Sequence, residues 1–324
     1  LLYAGILLLV GSLVRIIYRL IKKKADKKAE EKRLHCMMLE NCVYDFFEMN
    51  TLNMAQQGLF GEVLHTEGSY IHNLEEFWPY YHNNWRLDYN QKNRGDVYPT
   101  HGVGPACQLL DIHRDRMETL VSMDTKAVNG PAYIEKSTGE RPDTFANGDH
   151  TMTMISTVNG KTIQIQHDVL TPRPYSRMYQ LTGTKGFANK YPQEGYAFMP
   201  EQLSGTEVPD HENLNAHGFI TDGQREALVE KYTHPIIKEV GEVAKKVGGH
   251  GGMDYIMDYR LVYCLRNGLP LDMDVYDLAE WCSLIPLSKL SIENGNAPVE
   301  VPDFTRGAWN KQKGFRHAFA AAPK

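Results

Sequence analysis

The sequence predicts an α+β fold in which helices cover one face of an open, mostly antiparallel sheet. The first observation is a set of short runs in which apolar and polar residues alternate, as they do in half-buried strands. These runs cover residues 62–71, 119–125, 151–170 and 178–183. The second is the Asn159-Gly160 pair inside one such run, which is a strong signal for a hairpin turn. The third is a series of helical segments after residue 221, since helices of this kind pack on the apolar face of an antiparallel sheet.

The helical segments have clear ends. A helix capped by Thr221 or Asp222 is predicted to run to about Val247, where two glycines stop it. Two more helices are predicted over residues 254–267 and 274–292.

Composition excludes some classes of function. The chain has 324 residues, with 42% hydrophobic and 23% charged residues, which is ordinary for a globular protein of one large or two smaller domains. A net charge of −5 and a pI near 6.2 give no sign of nucleic-acid binding. Thirteen His, 18 Tyr and four Trp suit a sugar or another small polar ligand. The five cysteines are an odd number without a CxxC pair, which favours free thiols in a reducing compartment.

The N-terminal segment differs from the rest of the chain. An apolar run covers residues 1–21, interrupted by two arginines, and a basic cluster follows over 22–33. The run is marginal but long enough for a spanning helix, which needs about 20 apolar residues. The pattern predicts a membrane-spanning or anchoring helix over 1–24 and a charged linker over 25–34. The positive-inside rule places the globular part on the cytoplasmic side. Export to the periplasm and an amphipathic surface anchor are the alternatives.

The strongest local candidate for chemistry is the stretch from Gly95 to Pro105. Pro99 and the glycines predict a constrained loop, and a helix is predicted to start after it, at about Ala106. Tyr98, Thr100 and His101 would then lie on that loop. His101 is the best candidate for proton transfer or substrate binding, and a structural histidine in a turn is the alternative.

Two further segments are rich in aromatic residues and arginine. Residues 72–97 carry tryptophans, tyrosines, asparagines and Arg86, and residues 171–179 carry two arginines and two tyrosines, including Tyr179. In residues 171–179, tyrosines and arginines alternate, which places like residue types on one face of a strand. In residues 72–97, aromatic faces and polar side chains can form the wall of a sugar site. A loop packed on the core explains the same pattern equally well.

The common catalytic motifs do not occur. The sequence has no GxGxxG after a strand, no P-loop, no HExxH and no G-x-S-x-G. His, Asp and Glu are not spaced as metal ligands, so no metal site is predicted. A glycosidase with paired carboxylates leaves no sequential signature, and no isolated Asp or Glu stands out.

Nearly the whole globular part, from about His35 to Phe319, resembles the family-109 glycoside hydrolases. The motifs that carry the resemblance are long and in order, and include HCMMLENCVYDFFE, EGSYIHNLEEFWPYY, RGDVYPTHGVGPACQLLDIHR, TPRPYSRMYQ and HGGMDYIMDYRLVYCLRNGLPLDMDVYDLAEWC. The family-109 enzymes are NAD-dependent α-N-acetylgalactosaminidases of the glucose–fructose oxidoreductase and inositol dehydrogenase superfamily. Members have an N-terminal Rossmann domain and a C-terminal α/β domain with an open sheet. The resemblance implies that residues 35–63 are a remnant of the Rossmann domain and that 64–324 form the substrate-binding domain. Within 35–63, the residue pattern predicts the end of a strand, a polar loop at Glu40-Asn41 and then a helix.

The resemblance also implies roles for individual residues. His101 or Tyr98 would be the catalytic base. Asn41 and Arg86 would contact NAD. The implied substrate-binding residues are Tyr70, Tyr98, Pro99, Thr100, His101 and Tyr179.

The implied reaction is hydrolysis of terminal α-N-acetylgalactosamine by oxidation at C3, elimination, addition of water and reduction, with retention of configuration. The implied partners are glycans that contain N-acetylgalactosamine, and a second copy of the chain bound through the open sheet face. There are two alternatives to this function. One is a membrane-attached sugar-binding protein without catalysis, and the other is an NAD-dependent sugar oxidoreductase.

Overall fold

The computed structural model describes residues 31–32, 34–80, 85–112, 115–214 and 217–310. The helix predicted over residues 1–24 and most of the linker predicted over 25–34 lie outside these residues. Within the described part of the chain, no helix is long and apolar enough to cross a membrane.

The described strands form a single eight-stranded sheet, and the predicted α+β architecture is confirmed. The strands are β1 (Val63–Ile71), β2 (Met117–Asp124), β3 (Thr151–Thr157), β4 (Thr162–Asp168), β5 (Tyr179–Gly183), β6 (Gly186–Asn189), β7 (Gly195–Phe198) and β8 (Val299–Glu300). Their order is β7-β6-β5-β1-β4-β3-β2-β8. Every neighbouring pair is antiparallel except β1 and β4, which are parallel.

Alternation of side chains explains why these runs form an open sheet. In β3, Thr151, Thr153 and Ile155 are buried, whereas Met152 and Met154 are exposed on the other face. The predicted hairpin between β3 and β4 is present, and Gly160 has a φ of +78°, as the turn requires. The exposed methionines lie on the face through which a homo-oligomer was predicted to form, and that assembly stays a prediction.

Eight α-helices lie in the described residues. They are α1 (Phe46–Gln56), α2 (Trp85–Lys92), α3 (Thr100–Leu110), α4 (Asn129–Thr138), α5 (Asp222–Tyr232), α6 (Pro235–Val247), α7 (Met253–Asn267) and α8 (Val275–Glu293). The predicted cap at Thr221 is confirmed as a capping box with Gln224. The predicted end of α7 at Gly268 is also confirmed.

Three local predictions were wrong. The helix predicted over 222–247 divides into α5 and α6, because Pro235 has no backbone N–H and restricts the residue before it. The residues before Glu40, predicted to end a strand, form no strand in the part of the chain that the structure describes. Helix α3 begins at Thr100 rather than at Ala106, so Thr100 and His101 form its first turn.

Proline explains the early start of α3. Pro99, at the N-cap, has φ −76° and ψ −20°, which already suits a helix. Pro105 is the sixth residue of the helix, and it removes the backbone hydrogen bond that would otherwise reach the carbonyl oxygen of His101. The predicted loop is therefore shorter and ends at Pro99.

A close contact between β1 and α3 fixes the position of His101. A Cβ atom on Gly68 of β1 would lie 2.2 Å from the carbonyl oxygen of Gly102, so the two backbones touch. Only glycine at position 68 allows this approach. The first turn of α3 is thereby held directly against the central strand.

The core has two parts. The larger cluster lies between the sheet and the helices and includes Trp281 and Met49, which are fully buried. The smaller cluster surrounds Trp78 and Leu74, so part of the aromatic segment 72–97 packs on the core. Trp85 in the same segment is 47% exposed. The interpretation as a loop packed on the core therefore holds for Trp78 and Leu74, and a sugar-binding role of the segment stays a prediction.

Candidate active site

A cavity of about 790 Å³ opens where the 3-10 turn Asn41–Tyr44, the start of α3, the end of β1 and the start of α7 meet. All but one of the sequence-predicted site residues line it. These are Asn41, Tyr70, Arg86, Tyr98, Pro99, Thr100 and His101. Residues 41 and 101, which are far apart in the sequence, thus line the same cavity.

Tyr179 is the exception. It lies in β5, is 2% exposed and belongs to the core, where its ring packs edge-to-face on Phe47. Its hydroxyl donates a hydrogen bond to the carbonyl oxygen of Glu48 at 3.4 Å. Burial raises the pKa of this phenol well above its ordinary value. The structure places Tyr179 behind the cavity rather than in it.

The centre of the cavity wall is an imidazole–carboxylate pair. Nδ1 of His101 lies 2.6 Å from Oε1 of Glu40, which is almost completely buried. Burial by itself would raise the pKa of Glu40, but the hydrogen bond and charge of His101 and a hydrogen bond from Thr100 lower it. An ionised Glu40 accepts a hydrogen bond from Nδ1–H, and this leaves Nε2 as the basic nitrogen of the neutral ring. Among the described residues, Nε2 has no hydrogen-bond partner.

Sequence reasoning missed Glu40. The polar Glu40-Asn41 loop was visible, but its partner lies 61 residues further along the chain. No local pattern connects the two residues, and only the packing of the 3-10 turn against α3 brings them together.

Two tyrosines surround the imidazole. The ring centroids of Tyr70 and Tyr98 lie 5.1 and 4.9 Å from that of His101, both in edge-to-face geometry. The guanidinium of Arg86 lies 4.8 Å from the Tyr98 ring centroid. Burial raises the pKa of Tyr98, and the charge of Glu40 adds to this, although Arg86 acts in the opposite direction. Tyr98 therefore keeps its proton at neutral pH and is suited to donate a hydrogen bond rather than to act as a base.

The opposite wall orients Asn41. Its Nδ2 donates a hydrogen bond of 2.6 Å to Oδ1 of Asp254, while the other carboxylate oxygen of Asp254 lies 2.7 Å from Nδ1 of His250. Although burial would raise the pKa of Asp254, the hydrogen bonds from Asn41 and His250 lower it. The Asn41 amide is thus held in one orientation, with its oxygen accepting a hydrogen bond of 3.5 Å from the Cys42 thiol.

The floor of the cavity contains Arg177, which sequence reasoning did not assign to the site. Arg177 pairs with Asp45, and Lys190 lies 2.9 Å from Asp45 and 2.7 Å from Glu48. We call Asp45, Glu48, Arg177 and Lys190 the Lys190 cluster. Only Arg177 of the four lines the cavity.

The assignment of Asn41 and Arg86 to NAD stays a prediction. Asn41 and Arg86 lie on the cavity wall with polar groups suited to a carboxamide. No glycine-rich turn between a strand and a helix, of the kind that holds a pyrophosphate, occurs in the part of the chain that the structure describes.

Three potential metal ligands also converge here. The ligand atoms of Glu40, Cys42 and His101 all lie within 4.8 Å of one another. Residue spacing in the sequence predicted no metal site, because the third ligand lies on a different element.

Comparison with known proteins gives a consistent assignment. Residues 44–311 match the family model described as "Glycosyl hydrolase 109, C-terminal domain". Glycosyl hydrolase family 109 protein 1 of Bacteroides fragilis is 72% identical over 293 residues, which are 90% of this chain and 63% of that protein. A glycosyl hydrolase family 109 protein of Porphyromonas gingivalis is 70% identical over 293 residues, with the same two shares. The chain thus spans less than two thirds of the length of these relatives.

Solved structures share the fold. A levoglucosan dehydrogenase in complex with NADH and levoglucosan superposes with a TM-score of 0.60 at 16% identity, over 87% of this chain and 70% of that chain. The WlbA dehydrogenase from Bordetella pertussis, in complex with NADH and UDP-GlcNAcA, gives a TM-score of 0.52 at 13% identity, over 87% and 68%. At these identities the likeness concerns the fold alone.

Proposed function

This chain belongs to glycosyl hydrolase family 109, and on that premise we propose that it forms the substrate half of a glycosidase that removes terminal α-linked N-acetylgalactosamine with the help of NAD. The observation that carries the proposal is the Glu40–His101 pair, which presents a basic nitrogen to a cavity lined by tyrosines. The proposed partners are glycans that contain this sugar.

His101 is proposed to move the proton that the reaction requires. Nε2 would take a proton from the sugar carbon next to an oxidised ring position and later return it. The negative charge of Glu40 would stabilise the imidazolium that forms, as a carboxylate does in other histidine dyads. Because Tyr98 keeps its proton, it would donate a hydrogen bond to a sugar oxygen, and Tyr70 would present an aromatic face.

NAD, when bound, would supply the redox chemistry that these side chains lack, by taking a hydride from the sugar and returning it. Asn41 and Arg86 are the residues that would hold its nicotinamide end. This chemistry needs no pair of catalytic carboxylates, since NAD-dependent glycosidases are exceptions to that rule.

A fluorescence titration with NADH, followed by an assay with 4-nitrophenyl α-N-acetylgalactosaminide and NAD⁺, tests the function on the full chain. Saturable NADH binding with sugar release and no net NADH is the expected result. Net formation of NADH would favour a sugar oxidoreductase instead. Sugar binding without either reaction would favour a binding protein, and would overturn the glycosidase proposal for this chain.

Two variants test the role of His101. His101→Ala is expected to lower turnover by roughly 100-fold or more, which is the usual contribution of a general acid–base group. His211→Ala is the matched control, because His211 hydrogen-bonds a backbone carbonyl outside the cavity. Full turnover by His101→Ala would refute the assignment of the base.

A further inference from the structure

We propose that Glu40, Cys42 and His101 bind one thiophilic divalent cation, with zinc as the model ion. The site would share His101 with the proposed catalytic pair, so a bound cation and a free basic nitrogen on His101 exclude each other. The proposal stands on geometry and donor chemistry, and it does not depend on the proposed hydrolase activity.

The three donors already lie close together. Their ligand atoms are within 4.8 Å of one another, and ligands of a tetrahedral zinc ion are separated by roughly 3.5 Å. Glu40 and Cys42 are fixed by the same short turn, in which the Cys42 N–H donates to Oε1 of Glu40 at 3.2 Å. His101 comes from the first turn of α3, which packs against that turn. Small side-chain rotations would therefore complete a three-ligand shell.

The donor set matches a borderline-soft cation rather than magnesium or calcium. A thiolate, an imidazole and a carboxylate are the three ligand types that zinc uses in proteins. The side-chain oxygen of Asn41 lies 3.5 Å from the Cys42 sulfur and adds a neutral oxygen beside the group. The cavity leaves room for water as the fourth ligand, as in zinc sites that keep one open position.

Charge balance favours the ion. A zinc ion with one thiolate, one carboxylate and one neutral imidazole has no net charge, so its burial needs no further counter-ion. When the ion binds, the Cys42 thiol loses its proton to solvent. Nδ1 of His101 loses its proton while Nε2 takes one up, so the imidazole stays neutral and binds the ion through Nδ1. The Glu40–His101 hydrogen bond breaks. Burial and the charge of Glu40 raise the pKa of the Cys42 thiol, so the thiolate would form only together with the bound ion. Arg177, which acts in the opposite direction, is paired with Asp45 and does not face the ion unopposed.

Cobalt provides a direct test, because a thiolate bound to Co²⁺ gives a charge-transfer absorption that histidine and carboxylate ligands do not give. Metal-free full-length chain is titrated with Co²⁺ and then with Zn²⁺. The expected result is a thiolate band that saturates at one ion per chain and disappears when zinc is added. A titration without this band would overturn the proposal.

Matched cysteine variants identify the ligand. Cys42→Ser is expected to abolish the band and to weaken zinc binding in calorimetry by at least about 10-fold. Cys282→Ser is the control, because Cys282 lies on the same cavity wall but outside the cluster, and it should keep both signals. A band that survives Cys42→Ser or is lost in Cys282→Ser would overturn the assignment. Circular dichroism verifies that each variant is folded.

A third variant separates this site from adventitious binding. His101→Gln should also weaken zinc binding by at least about 10-fold. If His101→Gln and Cys42→Ser both bind zinc as tightly as the parent chain, surface pairs such as His250 and Asp254 hold the ion, and the proposal fails.

Discussion

Residues 40 and 48 lie at the two ends of one short segment and belong to two different clusters of charged side chains. One is the Glu40–His101 pair and the other is the Lys190 cluster, and the two differ in how completely the polar atoms of their side chains are hydrogen-bonded. At one end, Glu40 holds only one nitrogen of His101, and the other nitrogen is left for a ligand. At the other end, both carboxylate oxygens of Glu48 accept hydrogen bonds from Lys190, at 2.9 and 2.7 Å. The first cluster opens on the cavity, whereas Glu48 and Lys190 do not line it.

This difference shows that residue type alone does not separate a reactive pair from a structural one. Both clusters combine a buried carboxylate with a basic group. The atom that remains unpaired and reachable from the cavity decides which cluster can do chemistry. Substitutions in the two clusters should therefore affect different observables.

The largest effect is expected when the Lys190 cluster loses its shared cation. Lys190→Met should lower the free energy of unfolding by about 3–5 kcal/mol, because it leaves the buried Glu48 and the partly buried Asp45 with only Arg177 to compensate them. Urea denaturation at neutral pH measures this loss. Lys185→Met is the control, since Lys185 is exposed and should change stability by less than about 0.5 kcal/mol. Equal effects of the two variants would contradict the structural role of the cluster.

A third buried carboxylate, Asp96, sharpens the comparison, because it has no cationic side chain beside it. Burial raises the pKa of Asp96 to about 7, above its value near 4 in an unfolded chain. The folded state is therefore favoured below pH 4 and loses stability as the pH rises through 7, by up to about 4 kcal/mol. Asp96→Asn should be more stable than the parent at pH 8 and equal to it at pH 4. A difference in urea midpoint that does not change with pH would disprove this.

The reactive pair should respond in turnover rather than in stability. Glu40→Gln keeps the shape of the side chain but removes the charge that would stabilise an imidazolium at His101. A decrease in turnover of about 100-fold is expected, with little change in substrate KM. Glu48→Gln is the counterpart in the other cluster and should lower the melting temperature more than turnover. The reverse pattern would mean that the two clusters have been assigned the wrong roles.

The smallest effect is expected at the surface. Lys92 and Asp88 form an exposed ion pair of 2.5 Å within α2. Lys92→Met should change the free energy of unfolding by no more than about 0.5 kcal/mol, because solvent screens such pairs. A loss comparable to that of Lys190→Met would show that burial is not what distinguishes these pairs.

Much of the fold could be predicted from the sequence, because its signals are local. Alternation marked the strands, and the Asn159-Gly160 turn fixed one hairpin. Pro235 could have indicated the break between α5 and α6. Because helical patterns continue on both sides of it, the sequence was interpreted as one helix. The early start of α3 follows from the helical backbone angles of Pro99, but a proline is equally compatible with a loop, so the sequence alone did not place the first turn.

The site was predicted less completely, for a physical reason. Residues within one stretch, such as Tyr98 and His101, could be placed together because the chain connects them directly. The Glu40 partner comes from a distant turn, and Arg177 is brought to the floor by tertiary packing. For Tyr179, alternation predicted the strand but not which face of the sheet its side chain would occupy.

The parallel pairing of β1 with β4 has a consequence for how the molecule reaches its native state. Thr162 lies beside His65 although 97 residues separate them along the chain. Closing a loop of that length costs roughly 4 kcal/mol of chain entropy before the pair gains any stability. The hairpin of β3 and β4 closes only a short turn, so we expect it to form first, and β1 to join it late. Until then β1, which carries the backbone contact beneath His101, would expose an unpaired edge, so the cavity would be among the last parts of the molecule to assemble.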